Sequence, residues 1–273
     1  MKVVVAIDSF KGSLSSMEAG TAVAEGIYRA DKDAEVTVRP LADGGEGTVE
    51  ALTAGMNGRI EHVSVTGPLG NTVEASYGII AETKTAIIEM AAAAGITLLA
   101  EKDRNPLYTT TYGVGELIRD AMKKGCRNFI VGIGGSATND GGVGMLQALG
   151  YGFLDAEGKQ VPYGAKGLAL IEKITDDRVV PELKECHFKV ACDVANPLCG
   201  EQGCSAVFGP QKGATPSMIA EMDEWLARYA GLTKDKYPES DKNRAGTGAA
   251  GGLGFAFLSY TKAVLEWGVK IVF

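Results

Sequence analysis

The stretch from Asn128 to Leu149 constrains this chain more than any other. Asn128 to Ile133 is a short apolar run of the kind that forms a buried strand. It empties into a loop carrying Gly134, Gly135, Gly141, Gly142 and Gly144, interleaved with Ser136, Thr138, Asn139 and Asp140. Met145, Leu146 and Leu149 then open an amphipathic helix. A strand that passes through glycine into a helix N-terminus is suited to an anion, because free amides and the positive end of the helix dipole point the same way. Glycine allows close backbone approach and positive φ. Asp140 adds a carboxylate able to hold Mg²⁺ against phosphate oxygens. The first reading is a metal–nucleotide phosphate site.

Two rivals stand beside it. One is a glycine-rich turn that serves tight packing alone. The other is a dinucleotide fold: Gly132-x-Gly134-x-x-Ala137 matches the Gly-x-Gly-x-x-Gly/Ala fingerprint, and Asp155 lies at about the required distance. Against the latter, a helix should begin inside the fingerprint, and Asn139-Asp140-Gly141-Gly142 would break its first turn.

Composition narrows the class. The chain has 273 residues, 45% hydrophobic and 22% charged, the profile of one large or two ordinary globular domains. Its 37 glycines are about twice the usual share. A net charge of −7 with no Lys/Arg run argues against a nucleic-acid partner. No apolar segment reaches the length of a membrane span, which argues against a membrane partner. Five cysteines, an odd number, fit reduced thiols and a cytoplasmic location, while two scattered histidines make zinc and a His-based triad poor choices.

In chain order, Lys2 to Ile7 reads as a buried parallel strand, Ser15-x-x-Glu18 as a capping box, and Ala19, Ala22, Val23, Gly26, Ile27 and Ala30 as a helical repeat. Glu35 to Arg39 is a second strand. In such β-α-β units ligands sit beyond the carboxyl ends of the strands, which puts Asp8, Ser9, Lys11 and Ser13 in ligand territory. The second strand ends in Ala42-Asp43-Gly44-Gly45-Glu46-Gly47-Thr48, so Asp8 and Asp43 could face one pocket if the strands are adjacent. Arg59 to Thr66, Val73 to Ile80 and Lys84 to Met90 read as an antiparallel meander. A helix from Gly113 to Lys124 ends at Gly125. His187 to Cys192 is a further strand that ends in an acid, Asp193. Lys212 sits in a glycine-flanked loop, and Thr215-Pro216 opens a helix with a core stripe of Met218, Ile219, Met222, Trp225, Leu226 and Tyr229. Lys234 to Arg244 reads as a loop. Gly246 to Gly254 is a second glycine-rich turn into an apolar helix, and 268–273 reads as a strand.

These segments carry a resemblance. Asp8-Ser-Phe-Lys-Gly-Ser13, Ala42-Asp-Gly-Gly-Glu-Gly-Thr48, Gly132-Ile-Gly-Gly-Ser-Ala-Thr-Asn-Asp-Gly-Gly142, Ala191-Cys-Asp-Val-Ala-Asn-Pro-Leu198, Phe208-Gly-Pro-Gln-Lys-Gly-Ala-Thr215 and Gly246-Thr-Gly-Ala-Ala-Gly-Gly-Leu-Gly254 resemble signature segments of the class II glycerate kinases, in order from Met1 to Phe273. The resemblance implies an α/β fold of two lobes, a Rossmann- or flavodoxin-like parallel-sheet lobe (1–67 with 268–273) and a mixed α/β lobe inserted into it (68–267), with the active site between them. It implies ATP-dependent phosphorylation of (R)-glycerate, the 2-hydroxyl favoured, with Mg²⁺ required, and a homodimer as a possible assembly. Family members run on for roughly another hundred residues that complete the first sheet, so a shortened or split chain with an unpaired edge, an inactive nucleotide- or metabolite-binding remnant, is the competing expectation.

On this reading the nucleotide falls to Gly134, Gly135, Ser136, Thr138 and Asn139, with Gly251 and Gly252 as a second contact. Lys11 and Lys212 neutralise carboxylate or phosphate, Asp193 is the base for the glycerate hydroxyl, and Asp43 or Asp140 holds Mg²⁺. Asp8, Ser9 and Asn196 are assigned to substrate.

Overall fold

A computed structural model of the chain describes residues 1–8, 10, 13–41 and 47–268. Strand β1 (Lys2–Ile7), helix α1 (Ser16–Ala30) and strand β2 (Glu35–Pro40) form the expected β-α-β unit, with β2 parallel to β1 from Lys2 opposite Glu35 to Ile7 opposite Pro40. The helix begins where the sequence says it should: the Ser15 hydroxyl accepts from the Glu18 amide while the Glu18 carboxylate accepts from the Ser15 amide. Its apolar repeat is only partly covered. Ala19 is buried, but Val23 is 42% exposed, as is most of Val4 on β1.

Helix α2 (Thr48–Gly55) leaves this unit and packs Val49 and Leu52 against Ile80 and Ile87 of the next sheet. The Val49 amide donates to the Glu89 carboxylate at 2.9 Å, which ties the start of α2 to a strand end. β3 (Arg59–Thr66), β4 (Thr72–Ile80) and β5 (Thr85–Glu89) make the expected antiparallel meander. β3 therefore pairs in the larger sheet, whereas the boundary drawn at 67 had counted it with the first lobe. The pairing rule decides this: all eight residues from Arg59 to Thr66 find partners on β4.

After α3 (Ala91–Ala94) and α4 (Tyr112–Lys123) the sheet turns parallel. β6 (Asn128–Gly132) lies beside β5, and α5 (Val143–Ala148), the β7 (Gly152–Leu154) and β8 (Lys173–Thr175) pair and the short α6 (Ala165–Leu168) precede β9 (His187–Ala191), parallel to β6. α7 (Cys204–Phe208), α8 (Pro216–Lys236) and α9 (Ala249–Tyr260) follow, and β10 (Val264–Glu266) closes the order β10-β9-β6-β5-β4-β3. Two sequence expectations change. α8 runs on to Lys236, into what read as a loop, because its stripe continues through the buried Thr233. β10 was missed, being only three residues long, and the strand expected at 268–273 falls almost wholly outside the described residues.

The core lies on one face of the parallel strands. Phe129 stacks on Phe188 at 4.8 Å, and Phe188 meets Phe257 of α9 at 5.6 Å. Val131, Val190, Leu117 and Ile118 are fully buried beside them, each such side chain contributing about 1.5–3 kcal/mol. Gly125 has φ +91° and terminates α4 as the C′ residue. The contrast in burial has a measurable consequence. Leu226→Ala, in the α8 stripe, lowers the unfolding free energy by about 2–5 kcal/mol in urea titration, whereas Val23→Ala on α1 changes it by less than about 0.5 kcal/mol.

Candidate active site

A cavity of about 410 Å³ opens beyond the carboxyl ends of β6 and β9, the position that parallel strands reserve for ligands. The exit of β6 supplies Ile133 to Ser136, and the exit of β9 supplies Cys192, Asp193 and Val194. Phe208, Gln211 and Lys212 close one side, and Ala249 and Ala250, at the start of α9, close another. Ala250 has φ 51° and ψ 43°, a left-handed conformation that a non-glycine residue adopts only under constraint, and one often found at functional sites.

Lys212 is the central cation. It is 1% exposed, and its Nζ donates to the Ser136 hydroxyl at 2.9 Å and to the Thr138 carbonyl at 2.6 Å. An ammonium has three protons, so one remains without a partner among the described residues. Burial pushes the Lys212 pKa down to about 8, against the opposing pull of Cys204 and Asp140. The amides of Gly134, Gly135 and Ser136, which border the same cavity, have no hydrogen-bond partner among the described residues. Gly135 has φ +70°. Three free N–H groups beside a buried cation make a site with the chemistry of a phosphate cradle.

Asp140 does something different from the role read in the sequence. It is 1% exposed, and its Oδ2 accepts from the Thr111 amide at 2.8 Å, the Thr111 hydroxyl at 2.9 Å and the Gly144 amide at 3.3 Å. Its Oδ1 accepts from the Gly142 amide at 3.1 Å. The carboxylate thus fills the N-terminal ends of α4 and α5 itself. It is buried and does not line the cavity, unlike the exposed Mg²⁺ carboxylate that the sequence suggested. Burial pushes its pKa up and the hydrogen bonds from Thr111, Gly142 and Gly144 oppose this. Every contact is a donor, so the ionised form is the one its surroundings fit.

Other predicted residues separate in the same way. Thr138 and Asn139 are fully buried: the first turns its carbonyl to Lys212, and the second donates to Ser205 Oγ at 2.9 Å. They anchor the loop and do not line the cavity. Gly251 and Gly252 are packing glycines. A Cβ on Gly251 would stand 2.0 Å from the Thr138 carbonyl, and one on Gly252 would stand 2.7 Å from Gly141 Cα. Asp193 does line the cavity, exposed, with Oδ1 accepting from the Gly268 amide at 2.9 Å. Asn196 lies off the wall and bridges loops, its Nδ2 donating to the Gln202 carbonyl at 2.8 Å and its carbonyl accepting from Gly248 at 2.9 Å. Asp8 is half-buried at the end of β1 and is not part of the cavity lining. Ser9, Lys11 and Asp43 lie outside the described residues.

Sequence reasoning missed Cys192, Gln211 and Ala250 on the wall and Thr111 beneath it. For Thr111 a signal existed, three consecutive threonines just before a helix. The dinucleotide rival fails, because the chain stays non-helical from Ile133 to Gly142 after β6. Among the described residues, no cluster of three or more His, Cys, Asp or Glu side chains is placed to hold a metal by itself.

The glycerate kinase family model matches residues 3–273, nearly the whole chain. The chain belongs to the glycerate kinase family. A glycerate kinase of Haemophilus influenzae is 49% identical over 272 residues, covering 100% of this chain and 72% of that protein. Glycerate 2-kinase of Escherichia coli K12 is 48% identical, with 100% and 71% covered. A crystal structure from Salmonella typhimurium LT2 under the name glycerate kinase 2 superposes with a TM-score of 0.96 at 50% identity, covering 100% of this chain and 73% of that one. The likeness shows an α/β architecture and places the chain among kinases, and no helix among the described residues is long and apolar enough to cross a membrane.

The contact between the two glycine-rich loops can be tested directly. Gly251→Ala forces a methyl onto the Thr138 carbonyl from φ +64°, and lowers stability by more than about 2 kcal/mol in thermal denaturation. Gly158→Ala, at φ +76° in open space, loses only about 1 kcal/mol, the conformational term alone.

Proposed function

We propose that this kinase transfers the terminal phosphoryl group of ATP to the 2-hydroxyl of (R)-glycerate in the cavity beyond β6 and β9. The observation that carries this reading is the buried Lys212 with one unpartnered proton beside the free amides of Gly134, Gly135 and Ser136. Phosphoryl transfer asks a protein mainly for positioning and for neutralisation of charge, and this group of donors supplies both. The name of the Escherichia coli relative supports the 2-hydroxyl. Free cysteines throughout, at 126, 186, 192, 199 and 204, support a cytoplasmic setting.

In this reading the 2-hydroxyl oxygen of glycerate bonds to the γ-phosphorus as the bond to ADP breaks. Asp193, the carboxylate on the cavity wall, orients the hydroxyl and takes its proton. Lys212 and the 134–136 amides hold the phosphoryl oxygens. Mg²⁺, when bound with the nucleotide, neutralises phosphate charge, and Asp43 is the carboxylate proposed to hold it. Gln211 and the Ala250 backbone shape the wall.

The direct test is turnover of ATP with D-glycerate and Mg²⁺, the product identified by phosphorus NMR. Formation of 2-phosphoglycerate supports the reading; 3-phosphoglycerate contradicts the 2-hydroxyl, and ATP binding without turnover contradicts activity of this 273-residue chain. Lys212→Met lowers kcat/KM by about a hundredfold or more, and Asp193→Asn lowers kcat by a similar factor with little change in KM for ATP. The Lys212 ammonium is present below its pKa of about 8 and is lost as the pH rises through it. The pH profile of kcat/KM therefore falls on the alkaline side of about 8, a limb that Lys212→Arg moves to higher pH.

A further inference from the structure

We propose that Asp140 is a positioning residue for phosphoryl transfer, its buried carboxylate joining the N-termini of α4 and α5 and thereby fixing the loop on which Lys212 and the 134–136 amides depend. The inference rests on the reading of those groups as the phosphate site. Four donors converge on this one side chain: the Thr111 amide and hydroxyl ahead of α4, and the Gly142 and Gly144 amides at the start of α5. An anion between two helix starts is held by both dipoles and by otherwise unsatisfied amides. The Thr111 hydroxyl in turn accepts from the Met145 amide at 2.9 Å, so the two helices share one hydrogen-bonded hub.

The hub reaches the cavity through two residues of chain. Thr138 is two positions before Asp140, and its carbonyl is one of the two acceptors that aim Lys212 Nζ. On the other side Gly141 donates to the Gly251 carbonyl at 2.9 Å, which fixes the loop against the start of α9. The surroundings leave no slack. A Cβ on Gly144 would stand 2.3 Å from Thr110 Oγ1 and 2.9 Å from Asp140 Oδ2. Cys204 and then Asp140 oppose the effect of burial on Lys212, and burial pushes the Cys204 thiol up to about 11, which leaves Asp140 as the anion of the two near pH 7. Of the other titratable groups around the site, Tyr229 of α8 is also kept neutral by burial, and Asp193 of the β9 exit stands exposed on the wall of the same cavity.

A role confined to stability and a role in positioning give different results. Lysine labelled with ¹³C at Cε allows Lys212 to be titrated by NMR, with Lys212→Met assigning its signal, in the parent protein and in Asp140→Asn, Thr111→Val and Thr111→Ser. Removing the anion disfavours the ammonium, so in Asp140→Asn the Lys212 midpoint falls by about one pH unit. The alkaline limb of kcat/KM moves down with it, and kcat at pH 7 drops at least about tenfold. Thr111→Val, which removes one hydrogen bond to Asp140, loses kcat in the same direction, and Thr111→Ser restores it. A folded Asp140→Asn with the Lys212 midpoint and kcat of the parent overturns the proposal. If Asp140→Asn does not fold, Thr111→Val decides: parent-like kcat and Lys212 midpoint in that variant, or equal damage in Thr111→Ser, overturn it. If the parent forms no phosphoglycerate, the proposed function fails while the Lys212 titration still tests Asp140.

Discussion

A single carboxylate below the cavity sets the geometry above it. Asp140 occupies the place that a glycine-rich strand-to-helix turn usually offers to a ligand, and accepts from the N-cap amides of Thr111 ahead of α4 and Gly142 ahead of α5 and from the Gly144 amide within α5. Burying an unpaired carboxylate would be costly, but four donors and two helix dipoles offset that cost and leave the loop with one conformation. The glycines around it follow from the same constraint. Gly141 and Gly142 take left-handed φ values of +64° and +74°, and Gly144 has no room for a side chain.

With the helix ends filled, the anion-binding capacity of the loop moves upstream, to the amides of Gly134, Gly135 and Ser136 and to Lys212. A buried lysine resists ionisation, and Lys212 shows this in a pKa pushed down to about 8. Two acceptors hold it, one proton is left without a partner among the described residues, and the residue lines a cavity at the ends of parallel strands. Asp193, from the neighbouring strand end, brings the one carboxylate among the described residues that lines this cavity. Cation, amides and carboxylate thus arrive on three separate segments, and the sheet order β9-β6-β5 is what brings the first two strand exits side by side.

Much of the fold was legible because local chemistry and tertiary structure agree. The capping box at Ser15, the helix start at Thr215-Pro216, the meander from Arg59 and the glycine that ends α4 all read correctly. What failed were features set by pairing across the chain. β10 is too short to carry a period, and the boundary at 67 divided β3 from the meander in which the sequence itself places it. In the site, sequence located the loop but not the direction of its side chains. Thr138, Asn139 and Asp140 are polar residues in a glycine loop, the composition of a ligand wall, yet all three point into the protein. Gly251 and Gly252 read as a second anion turn, whereas they are small because the first loop packs on them. Lys212 and Asp193, singled out in the sequence as a glycine-flanked lysine and a strand-end acid, both fall on the wall of one cavity.

The central claim is that nucleotide phosphate meets the 134–136 amides and Lys212, while the start of α5 is already filled by Asp140. Amide NMR of ¹⁵N-labelled protein titrated with a non-hydrolysable ATP analogue and Mg²⁺ tests it most directly. The amides of Gly134, Gly135 and Ser136 should shift strongly and gain protection from hydrogen exchange, with Gly142 and Gly144 nearly unmoved. Large shifts at Gly142 and Gly144 with silent amides at 134–136 would contradict the claim and return the phosphate to the helix end.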